Sequence, residues 1–125
     1  IVVTTPDVSA VRDADRIIGL LQANEIFEPK LLVNRIRPEM VRRGDMMEVD
    51  DVNDILAINL LGVIPDDQNI IISTNRGEPA VNDRNSRAGQ AFRNIVARIL
   101  GEEVPLMSLD FDLNFLQRIK RMIVK

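Results

Sequence analysis

The sequence is 125 residues long, carries a formal net charge of -3 and contains no cysteine, histidine, tryptophan or tyrosine. These absences exclude thiol nucleophiles, disulfides, zinc sites of the Cys/His type and catalysis by a histidine base. The length suits one folded unit, and the negative balance argues against a surface that coats nucleic acid.

The first part of the chain predicts a βαβ unit. Residues 1–5 are all β-branched, which is typical of a buried strand, and residues 30–36 are strand-like again. Between them, residues 8–23 repeat apolar side chains at close to helical spacing, at Val8, Val11, Ile18 and Leu21. Because the strand pattern begins with the first residue, we expect the chain to be a piece of a longer one; a processed mature domain is the alternative.

A second crossover connection, again a helix followed by a strand, is predicted after this unit. Residues 50–58 predict a short helix, because Asp50 and Asp51 lie near its start, where carboxylates interact favourably with the helix dipole. Residues 60–65 predict a buried strand that ends at Pro65.

A third helix is predicted after residue 85, with Asp83 or Asn85 as its N-cap and Gly101 as its stop. Its apolar side chains recur at three- and four-residue steps: Ala88, Ala91, Phe92, Ile95, Val96, Ile99 and Leu100. Strands alternating with helices indicate an α/β fold with a parallel sheet. Three apolar strands are few for such a sheet, so we expect further strands outside this sequence.

The chain divides by charge into three parts. Residues 1–101 form the predicted α/β body, and residues 102–112 form an acidic linker around Pro105. Residues 113–125 contain basic residues and no acid. At about 100° per residue, five of their apolar side chains fall within an arc of roughly 120°, and the basic side chains occupy the remainder. The apolar set is Phe115, Leu116, Ile119, Met122 and Ile123; the basic set is Arg118, Lys120, Arg121 and Lys125.

This terminal pattern predicts an amphipathic helix that lies on an anionic membrane surface. A helix over residues 113–125 would be about 20 Å long, too short to cross a hydrocarbon core of about 30 Å. A helix docked on the body is the alternative, but docking does not require an entirely basic outer face.

Polar loops follow the predicted strands, where ligands bind in open α/β sheets. The loops after Thr5, Ile36 and Pro65 offer carboxylate, amide and guanidinium groups that suit a base and a ribose. Ordinary turn chemistry explains the same residue types equally well. None of the six glycines belongs to a phosphate-binding motif, so the sequence contains no phosphate cradle.

Four stretches in order, residues 5–16, 33–35, 62–67 and 75–79, resemble the C-terminal half of the MinD family. These are membrane-associated ATPases with a deviant Walker motif and a P-loop NTPase-like fold, which help to place the bacterial division septum. The resemblance implies a homodimer formed with ATP and Mg²⁺, in the cytoplasm and on the inner face of the cell membrane. The family's phosphate loop, catalytic lysines and magnesium ligands belong to its N-terminal half. This chain alone should therefore be inactive, with neither catalytic nor metal-binding residues.

The resemblance also implies roles for particular residues. Asn34 and the loop of Pro65 and Asp66 would border the adenine, and Asp7 would reach a ribose across the dimer. The helix near Ser9 resembles the docking region for MinC, which inhibits division-ring assembly, and MinE, which stimulates ATP hydrolysis. The candidate contacts are Ser9, Asp13 and Asp15. A solvated helix surface is the simpler interpretation of these three residues.

Two rival functions remain: a DNA-segregating ATPase of the ParA type and a membrane adaptor that binds no nucleotide. The first requires basic residues spread over the body, because phosphate contacts dominate DNA binding. Arg35, Arg37, Arg42 and Arg43 form a local basic cluster, but no aromatic residue lies among them to stack on bases. Nucleic acid is therefore not expected as a partner.

Overall fold

The computed structural model describes residues 1–109 and 122–123. The elements in chain order are β1 (Val2–Thr4), α1 (Val8–Ala23), β2 (Lys30–Ile36), α2 (Pro38–Arg42), α3 (Val49–Leu56), β3 (Asn59–Pro65), α4 (Gln68–Arg76), a 3₁₀ turn (Ala80–Asn82) and α5 (Arg87–Ile99). Within the described residues, β1, β2 and β3 form one parallel sheet in that order. The predicted α/β fold with a parallel sheet is confirmed.

The sheet separates two hydrophobic cores, because side chains alternate between the faces of a strand. Leu31 and Val33 of β2 face the first core, which α1 and α3 complete; its buried members are Val2, Val11, Ala14, Ile18, Leu31, Val33, Val52 and Leu56. The intervening Leu32 faces the second core, which α5 completes; its buried members are Leu32, Ile64, Ala88, Ala91 and Ile95. The layers are therefore α1 and α3, then the sheet, then α5.

The second core stops short of β1. Val3 is paired in register with Leu32, yet Val3 is 56% exposed and Leu32 only 8%. Ile1, beside it, is also exposed. Among the described residues nothing covers this part of the sheet, although strands of a parallel sheet are normally covered on both faces.

Two helices were not predicted. The short α2 begins with Pro38, whose missing N–H is harmless in the first turn of a helix. The turn that follows α2 contains Gly44, with φ 77°, and an ion pair of 3.0 Å between Arg43 and Asp45. The nine-residue α4 ends at Gly77, which has φ 70° and donates its N–H to carbonyls of the last turn.

Two predicted helix boundaries were wrong. The helix predicted to reach residue 58 ends at Leu56, because Ala57 adopts φ 52° and donates its N–H to the carbonyl of Asn53 at 2.8 Å. The N-cap of α5 is Ser86, whose hydroxyl accepts the Gly89 N–H at 2.9 Å. Asp83, one of the two predicted caps, instead accepts the N–H of Asn85, the other.

The chain after α5 runs back along that helix. The Arg98 guanidinium donates to the carbonyls of Val104 at 2.8 Å and Pro105 at 2.9 Å, and also to Leu61 of β3 at 3.1 Å. Arg87, at the start of α5, donates to the carbonyl of Ser108 at 2.7 Å. Residues 102–109, the strap, therefore lie against the body.

Candidate functional site

The carboxyl ends of β2 and β3 meet at one polar edge. The Asp66 N–H donates to the carbonyl of Ile36 at 2.9 Å, which joins the loop after β3 to the end of β2. The Asp66 carboxylate lies 3.7 Å from the Arg35 guanidinium and 3.5 Å from that of Arg37, which also lies 3.2 Å from Glu39. Exposed pairs of this kind add little stability, but they place donors and acceptors where open α/β sheets bind ligands.

β2 is irregular just before this edge. Its pairing with β3 shifts register between Val33 and Ile36, and Arg35 adopts φ 58°. For a residue other than glycine this conformation costs on the order of 1 kcal/mol. Such irregularities re-aim side chains and are common beside binding sites. The local strain therefore favours the polar edge as the candidate site.

A cavity of about 340 Å³ opens at this edge, between α2 and the N-terminal ends of α4 and α5. Its lining is Pro38, Glu39, Arg42, Pro65, Asp66, Asp67, Asn69, Asn85, Arg87 and Leu109. Carboxylate, amide and guanidinium groups can hydrogen-bond a heteroaromatic base and the hydroxyls of a sugar. This edge cavity contains Pro65 and Asp66, two of the residues predicted to contact the nucleotide.

The other two predicted nucleotide residues lie in different cavities. Asn34 lines a cavity of about 570 Å³ along β1 and α1, together with Thr4 and Thr5. Asp7 lines a third, of about 550 Å³, whose wall is rich in methionine and valine. The described residues thus do not bring Asn34 and Asp66 into one cavity.

Asp67 is a half-buried residue of the polar edge, and it was not among the predicted site residues. Its carboxylate accepts the N–H of Asn69 at 2.9 Å, the hydroxyl of Ser86 at 2.7 Å and the N–H of Ala88 at 3.1 Å. Partial burial raises the pKa of Asp67, but hydrogen bonds from Ser86 and from neighbouring backbone N–H groups outweigh it and leave the pKa below its ordinary 3.8. The carboxylate is therefore ionised at neutral pH, and it accepts three hydrogen bonds from the protein.

The sequence aligns with septum site-determining proteins over almost its whole length. It is 54% identical over 123 residues to the putative septum site-determining protein MinD of Guillardia theta, covering 97% of this chain and 46% of that protein. It is 51% identical over 126 residues to MinD of Synechocystis, covering 99% of this chain and 47% of that protein. The chain belongs to the MinD family. It spans a little under half the length of these curated relatives. No protein-family model matches the sequence.

Solved MinD structures share the fold. The MinD cell division protein of Aquifex aeolicus superposes with a TM-score of 0.82 at 45% identity, over 85% of this chain and 45% of that one. Its complex with MinC gives the same score and identity. The Mg-ADP complex of MinD from Pyrococcus horikoshii superposes with a TM-score of 0.68 at 26% identity, over 77% of this chain and 38% of that one. The parallel sheet of this chain is therefore part of the P-loop NTPase-like fold of MinD.

In this member of the MinD family, Asp7 is also the N-cap of α1. Its carboxylate accepts the Thr5 hydroxyl and, at 2.9 Å, the N–H of Ala10. The hydrogen bond from Thr5 and, secondarily, that from Ala10 lower the pKa of Asp7 below its ordinary 3.8. Asp7 thus has a structural role at the start of the helix whether or not it also contacts a ligand.

The MinD partner candidates lie on α1. Ser9, Asp13 and Asp15 are all exposed, while Val11 and Ala14 of the same helix are buried. Asp13 pairs with Arg16 at 3.7 Å, with both side chains at least 70% exposed. The three candidates are therefore accessible from solvent.

The predicted MinD-type membrane helix falls mostly outside the described residues. Phe115, Leu116, Arg118, Ile119, Lys120 and Arg121 lie outside them. Met122 and Ile123 are described, have helical backbone and are 75% and 74% exposed. In the described part of the chain, no helix has the length and apolar character needed to cross a bilayer. The same residues contain no cluster of three or more acidic, histidine or cysteine side chains that could hold a metal.

Proposed function

We propose that this chain is part of a membrane-associated ATPase that dimerises with ATP and positions the bacterial division septum by recruiting a division inhibitor to the membrane. The observation that carries the proposal is the 54% identity, across 97% of the chain, to a putative septum site-determining protein. The aligned region covers 97% of the chain, which includes the body, the polar edge and most of the basic terminal segment. Its place is then the cytoplasm and the inner face of the cell membrane.

The nucleotide is ATP with Mg²⁺, bound partly by this chain. The Mg-ADP complex of the Pyrococcus horikoshii relative supports a nucleotide in the common fold. The edge cavity supplies Pro65 and Asp66 for the base, while Asn34 and Asp7 approach the nucleotide from the adjoining strand ends and across the dimer. Phosphate and magnesium contacts come from outside this chain, because its glycines form no phosphate-binding loop.

The partners proposed for α1 are MinC and MinE, and a second copy of the protein forms the ATP-dependent dimer. The Aquifex aeolicus MinC:MinD complex supports MinC as a partner of the family. Exposure of Ser9, Asp13 and Asp15 leaves them available for such contacts. Charged groups on an exposed helix contribute mainly to the specificity and rate of association.

A DNA-binding function of the ParA type is disfavoured by the arginine cluster itself. Arg35 and Arg37 face the Asp66 carboxylate, and Arg43 faces Asp45. Acidic side chains interleaved in this way cancel the positive potential that phosphate binding requires. A nucleotide-binding measurement on the full-length protein distinguishes the ATPase from a membrane adaptor, which would bind no nucleotide.

The test is calorimetry with Mg-ATP on the full-length protein and on residues 1–125 alone. The full-length protein should bind ATP and hydrolyse it, whereas the isolated chain should do neither, since phosphoryl transfer depends on positioned phosphate and magnesium contacts. In the full-length protein, Asp66→Ala should weaken ATP binding about tenfold, the equivalent of one lost hydrogen bond. The exposed Asp54 of α3 provides a matched control, Asp54→Ala.

Two results would overturn this assignment. Tight ATP binding by the isolated chain would mean that the nucleotide site had been misplaced. A full-length protein that attaches to membranes but binds no nucleotide would be an adaptor.

A further inference from the structure

Asp67 follows Pro65 and Asp66 directly, but its carboxylate has different partners from the Asp66 carboxylate, which pairs with two arginines. One oxygen accepts the Asn69 N–H at 2.9 Å, which caps α4. The other accepts the Ser86 hydroxyl at 2.7 Å and the Ala88 N–H at 3.1 Å, both at the start of α5. A single side chain thus joins the loop after β3 to two helices that begin far apart in the sequence.

Ser86 makes this junction rigid. Its side chain is only 1% exposed, and its hydroxyl donates to Asp67 while accepting the Gly89 N–H at 2.9 Å. A buried hydroxyl with both its donor and an acceptor position satisfied has one favourable orientation, and its loss would leave the Asp67 carboxylate short of a donor. The starts of α4 and α5 are consequently held at a fixed separation.

The loop is held from its other side as well. The Asp66 N–H donates to the carbonyl of Ile36 at 2.9 Å, and Pro65 is buried with its φ fixed by the ring. Between this bond and the Asp67 carboxylate, the two residues proposed to contact the base have little freedom to move. Their positions are set before any ligand arrives.

The same junction shapes the edge cavity. Asn69 of α4 and Arg87 of α5 line it opposite Pro38 of α2, and Asp67 itself lies in the wall beside Asp66. A change in the separation of the two helix starts would alter the width of the cavity as well as the direction of the loop. Cavity shape discriminates between ligands that differ by a few atoms.

We propose that Asp67, through Ser86, is a positioning residue that sets the base-selecting geometry of the Pro65–Asp66 loop and thereby the preference of the protein for one purine over another. This rests on the proposed nucleotide-binding function. In this role Asp67 does not contact the nucleotide, because its carboxylate is hydrogen-bonded to Asn69, Ser86 and Ala88. Its effect is on the recognition of the base, while the phosphates are bound elsewhere.

The experiment uses the full-length protein with Asp67→Asn or Ser86→Ala. Dissociation constants for Mg-ATP and Mg-GTP, with kcat and KM for ATP hydrolysis, would be compared with those of the wild type. In both variants we expect the ratio of the GTP to the ATP dissociation constant to change about tenfold towards unity. We also expect KM for ATP to rise about tenfold, with a change in kcat of less than threefold. Ser86→Ala carries the test if Asp67→Asn does not fold.

The matched control is Ala91→Gly, also in α5 and 2% exposed, which weakens the helix without touching Asp67 or the edge cavity. It should lower Tm but leave the GTP to ATP ratio unchanged. If Asp67→Asn and Ser86→Ala behave like Ala91→Gly, the network serves folding only and the proposal is wrong. If Asp66→Ala weakens ATP binding while these two variants keep the wild-type ratio, the positioning role fails although the proposed function stands. A wild-type protein that binds neither nucleotide would refute both.

Discussion

At the scale of single residues, two glycines allow α5 to approach its neighbours closely. A Cβ added at Gly62 of β3 would lie 2.4 Å from the Ile95 side chain, and one at Gly89 would lie 2.3 Å from the Ala80 carbonyl oxygen. The first neighbour is the branch of a side chain, whereas the second is backbone of the 3₁₀ turn. A larger residue is therefore tolerated less well at position 89 than at position 62.

Gly89→Ala and Gly19→Ala form a matched pair, since both lie inside helices. A Cβ at Gly19 of α1 meets nothing within 4 Å, so Gly19→Ala should raise the free energy of unfolding by about 0.5–1 kcal/mol. Gly89→Ala should lower it by about 1–3 kcal/mol, because the helix and the 3₁₀ turn must separate. Urea denaturation of the full-length protein measures both. Equal effects from the two substitutions would contradict the close packing of Gly89.

Asp67 also predicts a pH dependence of stability. Its folded-state pKa lies below the ordinary 3.8, so the folded state binds fewer protons than the unfolded state in that range. The stabilisation is complete above about pH 4 and is lost as the pH falls through the folded-state pKa. The difference in the free energy of unfolding between wild type and Asp67→Asn should therefore shrink as the pH falls from 7 to about 3. Urea titrations at several pH values would show this, with Asp54→Asn as the control for loss of a negative charge. A difference that stays constant across that range would argue against an ionised, hydrogen-bonded Asp67.

At the scale of secondary-structure elements, the sequence predicted those helices that carry a strong apolar repeat. The bounds of α1 were correct because Asp7 is a good N-cap and buried positions recur through Ile18. By contrast, α4 contains Ile70, Ile71 and Ile72 in succession, which shows no helical periodicity and resembles a strand. Its first turn is capped by Asp67, whose carboxylate accepts the Asn69 N–H two residues further on, but a single N-cap residue did not offset the strand-like isoleucine run.

The start of α5 could not be predicted from the local sequence. Asp83, Asn85 and Ser86 are all good N-cap residues, so the local sequence leaves the choice open. The structure selects Ser86 because its hydroxyl also meets Asp67, which lies 19 residues earlier. The local sequence thus predicts that a helix forms here, whereas a hydrogen bond between distant residues determines where it begins.

The strap makes a prediction about α5. Arg98 donates to the carbonyls of Val104 and Pro105, so Arg98→Ala should release the strap and speed proteolytic cleavage within it several-fold. Arg93 is the matched control in the same helix, because it donates instead to the carbonyls of Val81 and Asp83. Arg93→Ala should leave the strap as protected as in the wild type. Mass spectrometry of timed digests would identify the cleavage sites, and unchanged protection in Arg98→Ala would show that other contacts hold the strap.

The exposed face of α1 predicts an effect on binding that is separate from folding. In the full-length protein, Asp13→Lys or Asp15→Lys should weaken MinC or MinE binding about tenfold while leaving ATP-dependent dimerisation largely intact. Asp54→Lys, an exposed acid on α3, is the control for added positive charge. Pull-down and sizing experiments would be compared. If both α1 variants keep wild-type affinity for both partners, these residues are only a solvated surface.

At the scale of the whole molecule, the polar edge of the sheet brings together residues from separate strands. The sequence predicted part of this arrangement but not all of it. The general rule for open α/β sheets located the polar edge, and Pro65 and Asp66 do line one cavity there. The rule could not foresee that Asn34, which lies in the irregular part of β2, lines a different cavity. Nor could it identify Asp67, whose role depends on the position of α5.

The terminal segment is the part of the molecule expected to couple nucleotide binding to location. A helix over residues 113–125 is too short to be stable alone in water, so we expect it to fold as it binds an anionic surface. Each basic residue near such a surface contributes on the order of 1 kcal/mol, offset by the cost of ordering. One copy should bind weakly, and the two copies of an ATP-bound dimer much more strongly through their effective concentration.

A synthetic peptide of residues 113–125 should become helical on vesicles that contain anionic phospholipid but not on neutral ones, as circular dichroism would show. In the full-length protein, Ile119→Glu should abolish sedimentation with anionic vesicles while ATP binding persists, because the substitution places a charge in the centre of the apolar arc. Asn114→Glu is the matched control, since it adds the same charge outside that arc and should weaken attachment much less. A peptide that stays unstructured on anionic lipid, or an Ile119→Glu protein that still sediments with vesicles and ATP, would remove the membrane role from this segment.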